Sequence, residues 1–100
     1  MIILVTGSSG FVGETLIPKL QSLGHQIIGI DHSDGQYTTK NIDISKPFTI
    51  EQKIDVVIHF AAQVGVRYSY INPSKYISAN FFGFLNLILA SKKNKIKKII

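Results

Sequence analysis

The sequence predicts an alternating α/β fold on a parallel sheet, and three observations within residues 1 to 31 predict it. An apolar run, Met1-Ile2-Ile3-Leu4-Val5, feeds directly into Thr6-Gly7-Ser8-Ser9-Gly10-Phe11-Val12-Gly13. A stretch with helical spacing of apolar residues follows, and a second apolar run closes on Asp31. Strand, glycine-rich turn, helix, strand and acid, in that order, are the parts of a nucleotide-binding βαβ unit.

Each part has a physical job. Gly7 lets the chain turn sharply out of the first strand, and Gly10 carries no side chain where a pyrophosphate must approach the backbone. Gly13 lets the helix lie close on the sheet. The unpaired amides at the helix start, Phe11 and Val12, face that anion with the positive end of the helix dipole behind them. Asp31 stands 18 residues beyond Gly13, where a carboxylate accepts hydrogen bonds from both ribose hydroxyls of an adenosine and repels a 2′-phosphate. That favours NAD over NADP. Three glycines at such offsets arise by chance in roughly one chain of this length in thirty, so the strands and the acid carry the argument.

The elements follow in order. Residues 2 to 6 are continuously apolar, as a parallel strand covered on both faces must be. A helix is expected from Phe11 to Leu23, with Val12, Leu16, Leu20 and Leu23 on one face and Gly24 as a left-handed cap. Pro18 inside it removes one backbone bond and should kink the helix or tighten its first turns. Gln26 to Asp31 is the second strand. His32 to Lys40 is a polar loop, with Ser33, Asp34 and Gly35 marking a surface turn. A short third strand is expected at Asn41 to Ile44, then one helical turn from Ser45-Lys46-Pro47 through Gln52. Asp55 to Phe60 is a fourth buried strand, followed by the small residues Ala61 and Ala62. Residues 63 to 72 are irregular. A long helix is expected from Pro73 to Lys93, and its Tyr76, Ile77, Phe81, Phe82, Phe84, Leu85, Leu87, Ile88 and Leu89 leave no clean polar face. Such a helix needs cover on two sides, and a subunit interface is the expected second cover. Lys98-Ile99-Ile100 begins a fifth strand.

Composition narrows the function classes. One hundred residues at 45% hydrophobic content make one domain with a real core, short for a two-domain enzyme. The absence of cysteine excludes disulfides, thiol catalysis and thiolate metal sites, and points to the cytoplasm. Five apolar residues without a basic lead make neither a signal peptide nor a membrane span. Of the formal net charge of +5, Lys92, Lys93, Lys95, Lys97 and Lys98 supply the excess, and the other cations balance the acids. Lysines at a helix end complement its dipole, and without interleaved aromatics they do not suggest a nucleic-acid partner.

The residues also resemble the extended short-chain dehydrogenase/reductases, and within them the NAD-dependent nucleotide-sugar epimerases and dehydratases. Thr-Gly-x-x-Gly-Phe-x-Gly at 6 to 13, Gly29-Ile30-Asp31, Asp43, and His59-Phe60-Ala61-Ala62-Gln63 fall in that family's order. Residues Ala61 to Ser69, with Asn72-Pro73, Tyr76, Asn80, Gly83-Phe84 and Asn86, are most similar to UDP-glucuronate 4-epimerases. The resemblance implies a Rossmann-like three-layer parallel sheet of order 3-2-1-4-5, truncated after or within strand 5. It implies that Gly7, Gly10, Phe11, Val12 and Gly13 surround the NAD pyrophosphate, that Asp31 binds the ribose, and that Asp43 and Ile44 flank the adenine. Ala61, Ala62 and Gln63 would line the nicotinamide side, Asn80 would anchor the cofactor or nearby backbone, and Arg67 would meet an acidic sugar's carboxylate. The partners implied are a UDP-sugar substrate and a second copy docked through helix 73 to 93, with no nucleic acid and no membrane.

No two of His25, His32 and His59 stand at metal-ligand spacing, so structural or surface roles are expected. None of Tyr68, Tyr70 and Tyr76 has a lysine four residues downstream. The family's catalytic Tyr-x-x-x-Lys follows the fifth strand, as does the segment gripping the UDP-sugar. Residues 1 to 100 therefore read as a partial NAD-binding domain without activity of its own. The other readings are a non-catalytic NAD(P)-sensing module and a dehydratase of the same family.

Overall fold

The structure is a computed structural model and describes residues 1 to 61 and 70 to 100. Strands β1 (Ile2–Thr6), β2 (Gln26–Asp31), β3 (Lys40–Asn41) and β4 (Val56–His59) form one sheet, ordered β3-β2-β1-β4. All pairings are parallel. A bridge from Val57 to Ile99, also parallel, starts the next strand beside β4; the Ile100 amide donates to the Val57 carbonyl at 2.8 Å. The order 3-2-1-4-5 is that of a Rossmann-like sheet.

Alternation along β1 builds two cores. Leu4 faces one side with Ile28, Ile30, Ile44, Ile54, Val57 and Leu87. Ile3 and Val5 face the other with Ile17. Helix α1 (Phe11–Ser22) covers the second face, and α3 (Gly83–Asn94) covers the first through Leu87. Each aliphatic side chain buried this way stabilises the fold by about 1.5–3 kcal/mol, which accounts for strands apolar at nearly every position.

Four expectations need correction. The buried residues of α1 are Gly13 and Ile17, with Leu20 packed beside them, while Val12 and Leu23 are exposed. Gly13 sets this phase, because only a residue without a side chain lets the helix touch the glycine loop. The third strand is Lys40–Asn41, one residue earlier than expected and ended by a turn at Asp43. No helical turn forms over 45 to 52. Asp43 takes the Ser45 amide at 3.0 Å, Lys46 precedes a proline and is biased away from helix, and Phe48 and Ile50 pack on the core in an irregular path. Finally, the long helix is broken: α2 (Pro73–Ile77) passes into a π-helical segment (Ser78–Phe82) before α3. Helix α3 does bury a narrow face, Gly83, Leu87, Ala90 and Ser91.

Helix α1 runs through Pro18 without a break. Glu14, whose carbonyl the missing amide would have met, is exposed. The helix ends as expected on Gly24, φ 91°. The Gly24 amide donates to Gln21 and the His25 amide to Leu20, at 3.0 and 3.2 Å, the paired bonds of a Schellman cap.

Candidate cofactor site

The registers bring the carboxyl ends of the central strands level: Thr6 pairs with Ile30 on one side and with His59 on the other. Beyond those ends lies a cavity of about 390 Å³. In open α/β sheets this edge, where the strand order reverses, is where ligands bind.

One wall is the glycine loop. Gly7 leaves β1 at φ 74°, and the Gly7 and Ser8 amides reach the Ile30 carbonyl at 2.9 and 3.3 Å. A Cβ on Gly7 would stand 2.8 Å from the backbone of Phe60 and Ala61, and one on Gly13 would overlap the Gly7 carbonyl oxygen. Helix α1 has no side-chain cap at Gly10. Its first backbone bond runs from the Glu14 amide to the Gly10 carbonyl, so the amides of Phe11, Val12 and Gly13 open the helix without an intrahelical acceptor. With the helix dipole behind them they suit an anion.

Asp31, 7% exposed, ends β2 on the same cavity. Its carboxylate accepts the Ser9 amide at 3.1 Å and the Ser33 amide at 2.9 Å, and His32 Nδ1 lies 3.2 Å away. Burial alone would raise its pKa, but the bonds from Ser33 and Ser9 and the neighbouring His32 outweigh burial and hold it below the ordinary 3.8. The carboxylate is therefore kept ionised and aimed across the loop. Asp43 is likewise held low, first by the Ser45 hydroxyl at 2.7 Å and then by the Ser45 amide.

The opposite wall is tied to β1 by Thr6. The Thr6 Oγ1 accepts the Phe60 and Ala61 amides at 3.1 and 3.0 Å. With its oxygen so engaged, the hydroxyl proton goes to His59 Nδ1 at 2.6 Å. His59 stacks on Phe84 at 5.5 Å, and burial lowers its pKa below 6.5. His59 is thus neutral at pH 7, held between Thr6 and Phe84. His25 meets the terminal amine at 3.1 Å.

Of the residues singled out in the sequence, Gly7, Gly10, Phe11, Val12, Gly13, Asp31, Asp43, Ile44 and Ala61 line this one cavity. Asn80 lies in the π-helical segment and is not among the lining residues. Ala62, Gln63 and Arg67 lie outside the described residues. Ile30, His32, Ile42, Ser45 and Phe60, to which the sequence assigns no site role, line the same cavity. Each adjoins in sequence a residue expected at the site.

Sheet order, crossover helix and edge cavity together define the Rossmann-like class of α/β proteins. The model of the NAD dependent epimerase/dehydratase family matches residues 3–100, and the chain belongs to that family. It is 37% identical to Protein CapI of Staphylococcus aureus, over all of this chain and 36% of that protein. It is 33% identical to UDP-glucuronate 4-epimerase 5 of Arabidopsis thaliana, over 92% of this chain and 26% of that protein. A UDP-galactose 4-epimerase crystal structure superposes with a TM-score of 0.87 at 27% identity, over 99% of this chain and 37% of that one. The chain thus spans about a third or less of the length of these relatives. Among the described residues, no helix is long and apolar enough to cross a membrane.

Proposed function

We propose that this chain is the NAD-holding part of a nucleotide-sugar epimerase of the UDP-glucuronate 4-epimerase kind. The observation that carries the reading is the Asp31 carboxylate bonded to the Ser9 amide on the same cavity as the open amides of Phe11 to Gly13. An adenosine diphosphate needs that combination of ribose acceptor and phosphate donors. The Gly7, Gly10 and Gly13 cradle fits it, since side chains there would meet backbone.

In this reading Gly7, Gly10, Phe11, Val12 and Gly13 hold the pyrophosphate, Asp31 the ribose, and Asp43 and Ile44 flank the adenine. Ala61, Ala62 and Gln63 line the nicotinamide side, and Asn80 supports the backbone there. Arg67 pairs with the carboxylate of an acidic UDP-sugar. Bound NAD supplies a reversible hydride acceptor for a sugar carbon. The chain's residues orient the dinucleotide and, through the apolar Ile42 and Phe60, keep water from its rings. No Tyr-x-x-x-Lys occurs in these 100 residues, so the chain alone is proposed to bind without turnover. A homodimer through 73 to 93 would cover Phe84, Leu85, Ile88 and Leu89, which are 39–55% exposed, and a cytoplasmic location suits a cysteine-free chain.

Thermal melts with NAD, NADP and UDP-glucuronate test the reading. NAD at a hundredfold excess over its dissociation constant should stabilise the fold by about 2.7 kcal/mol, with NADP weaker because Asp31 repels its 2′-phosphate. No shift with either dinucleotide would end the proposal.

A further inference from the structure

The adenine-side wall of the cavity, Ile42 to Ser45, has no regular structure of its own. Its bonds divide into two kinds. The Asp43 carboxylate takes the Ser45 amide and hydroxyl, and the Asp43 carbonyl takes the Lys46 amide at 3.1 Å. These shape the turn without fixing where it sits. Position comes from outside it: the Ile44 side chain packs in the core, the Ile42 amide donates to the Asp31 carbonyl at 2.9 Å, and Asn86 Nδ2, on α3, donates to the Ile44 carbonyl at 2.9 Å. Ile44 is 7% exposed, so its carbonyl has little recourse to water if that donor is lost.

We propose that Asn86 is a positioning residue for the adenosine end of the cavity, setting cofactor affinity through the backbone of Ile44. The inference rests on the reading that the cavity holds NAD. A second asparagine on the same helix isolates the effect. Asn94 Nδ2 donates to the Ile50 and Gln52 carbonyls, both at 2.8 Å. It ties the same irregular segment to the same helix, but at residues that do not line the cavity. Asn94 makes more bonds than Asn86, yet only Asn86 holds a wall of the site.

The test compares Asn86→Ala, Asn86→Asp and Asn94→Ala by calorimetric titration of NAD and ADP-ribose and by amide hydrogen exchange. Both Asn86 variants should weaken NAD and ADP-ribose alike by about tenfold, the effect of roughly one lost hydrogen bond. They should also speed exchange at Ser45 and Lys46. Asn94→Ala should lower the melting temperature while leaving both affinities within about twofold. The inference is overturned if Asn86→Ala binds as the parent does, or if Asn94→Ala weakens binding equally. A parent chain that binds neither ligand defeats the cofactor reading itself. Unchanged exchange at Ser45 and Lys46 in Asn86→Ala defeats the clamp whatever the ligands do.

Discussion

The two walls of the cavity are held in different ways. The glycine loop is fixed by backbone against backbone: Gly7 against Phe60 and Ala61, and Gly13 against Gly7. The Ile42 to Ser45 wall is fixed at Ile44 by an amide side chain from a helix 42 residues away in sequence. The first leaves no room for adjustment, because even its long-range contact, Gly7 with Phe60 and Ala61, is backbone on backbone. The second depends on a side-chain donor, so its position can be altered without unfolding the sheet.

Breaking the rigid wall should have the largest effect. Gly13→Ala places a methyl on the Gly7 carbonyl and should cost about 3 kcal/mol in urea denaturation. The same replacement at Gly24 meets nothing within 4 Å and should cost only about 1 kcal/mol, the penalty of its left-handed backbone. Thr6→Val strips the Ala61 amide and His59 of their partner and should cost about 2 kcal/mol by the same assay. Asp31→Asn keeps the fold but should weaken NAD about tenfold and narrow its advantage over NADP, read by calorimetry.

Acid should sharpen the contrast. His59 has a folded pKa below 6.5, so the unfolded chain takes the proton first and stability declines as pH drops below 6.5. Asp31 lies below 3.8 when folded, so its contribution is complete above 3.8 and is lost as pH falls through the folded value. Melts from pH 7 to pH 3 should decline in both ranges, and His59→Gln should flatten only the upper one. The smallest effect belongs to Lys95, which caps α3 at φ 66°. Lys95→Gly should raise stability by about 0.7 kcal/mol, because glycine occupies that region without strain.

What could be read in the sequence follows the same division. β1, β2, β4 and the Gly24 cap were legible because apolar runs and glycines act over a few residues. Gly7, Gly10, Phe11, Val12, Gly13 and Asp31, which share the cavity, stand in short motifs and were legible for the same reason, whereas Asp43 and Ile44 are expected there only from the family resemblance. The irregular path over 45 to 52 was not legible, because Asn94 supplies hydrogen bonds at Ile50 and Gln52 from far along the chain. The phase of α1 was misread because the repeat of large apolar residues outweighed a glycine that packs more tightly than any of them. The π-helical segment eluded a 3.6-residue period because the adjacent Phe81 and Phe82 fit either spacing.

The saturated oxygen of Thr6 has a spectroscopic consequence. With two amides already on that oxygen, His59 is frozen as a single tautomer, so its ring should give one pyridine-like and one pyrrole-like nitrogen-15 resonance rather than an exchange average. Because the same hydroxyl holds the Ala61 amide at the cavity's edge, that pair of signals is a built-in gauge of whatever settles against Ala61.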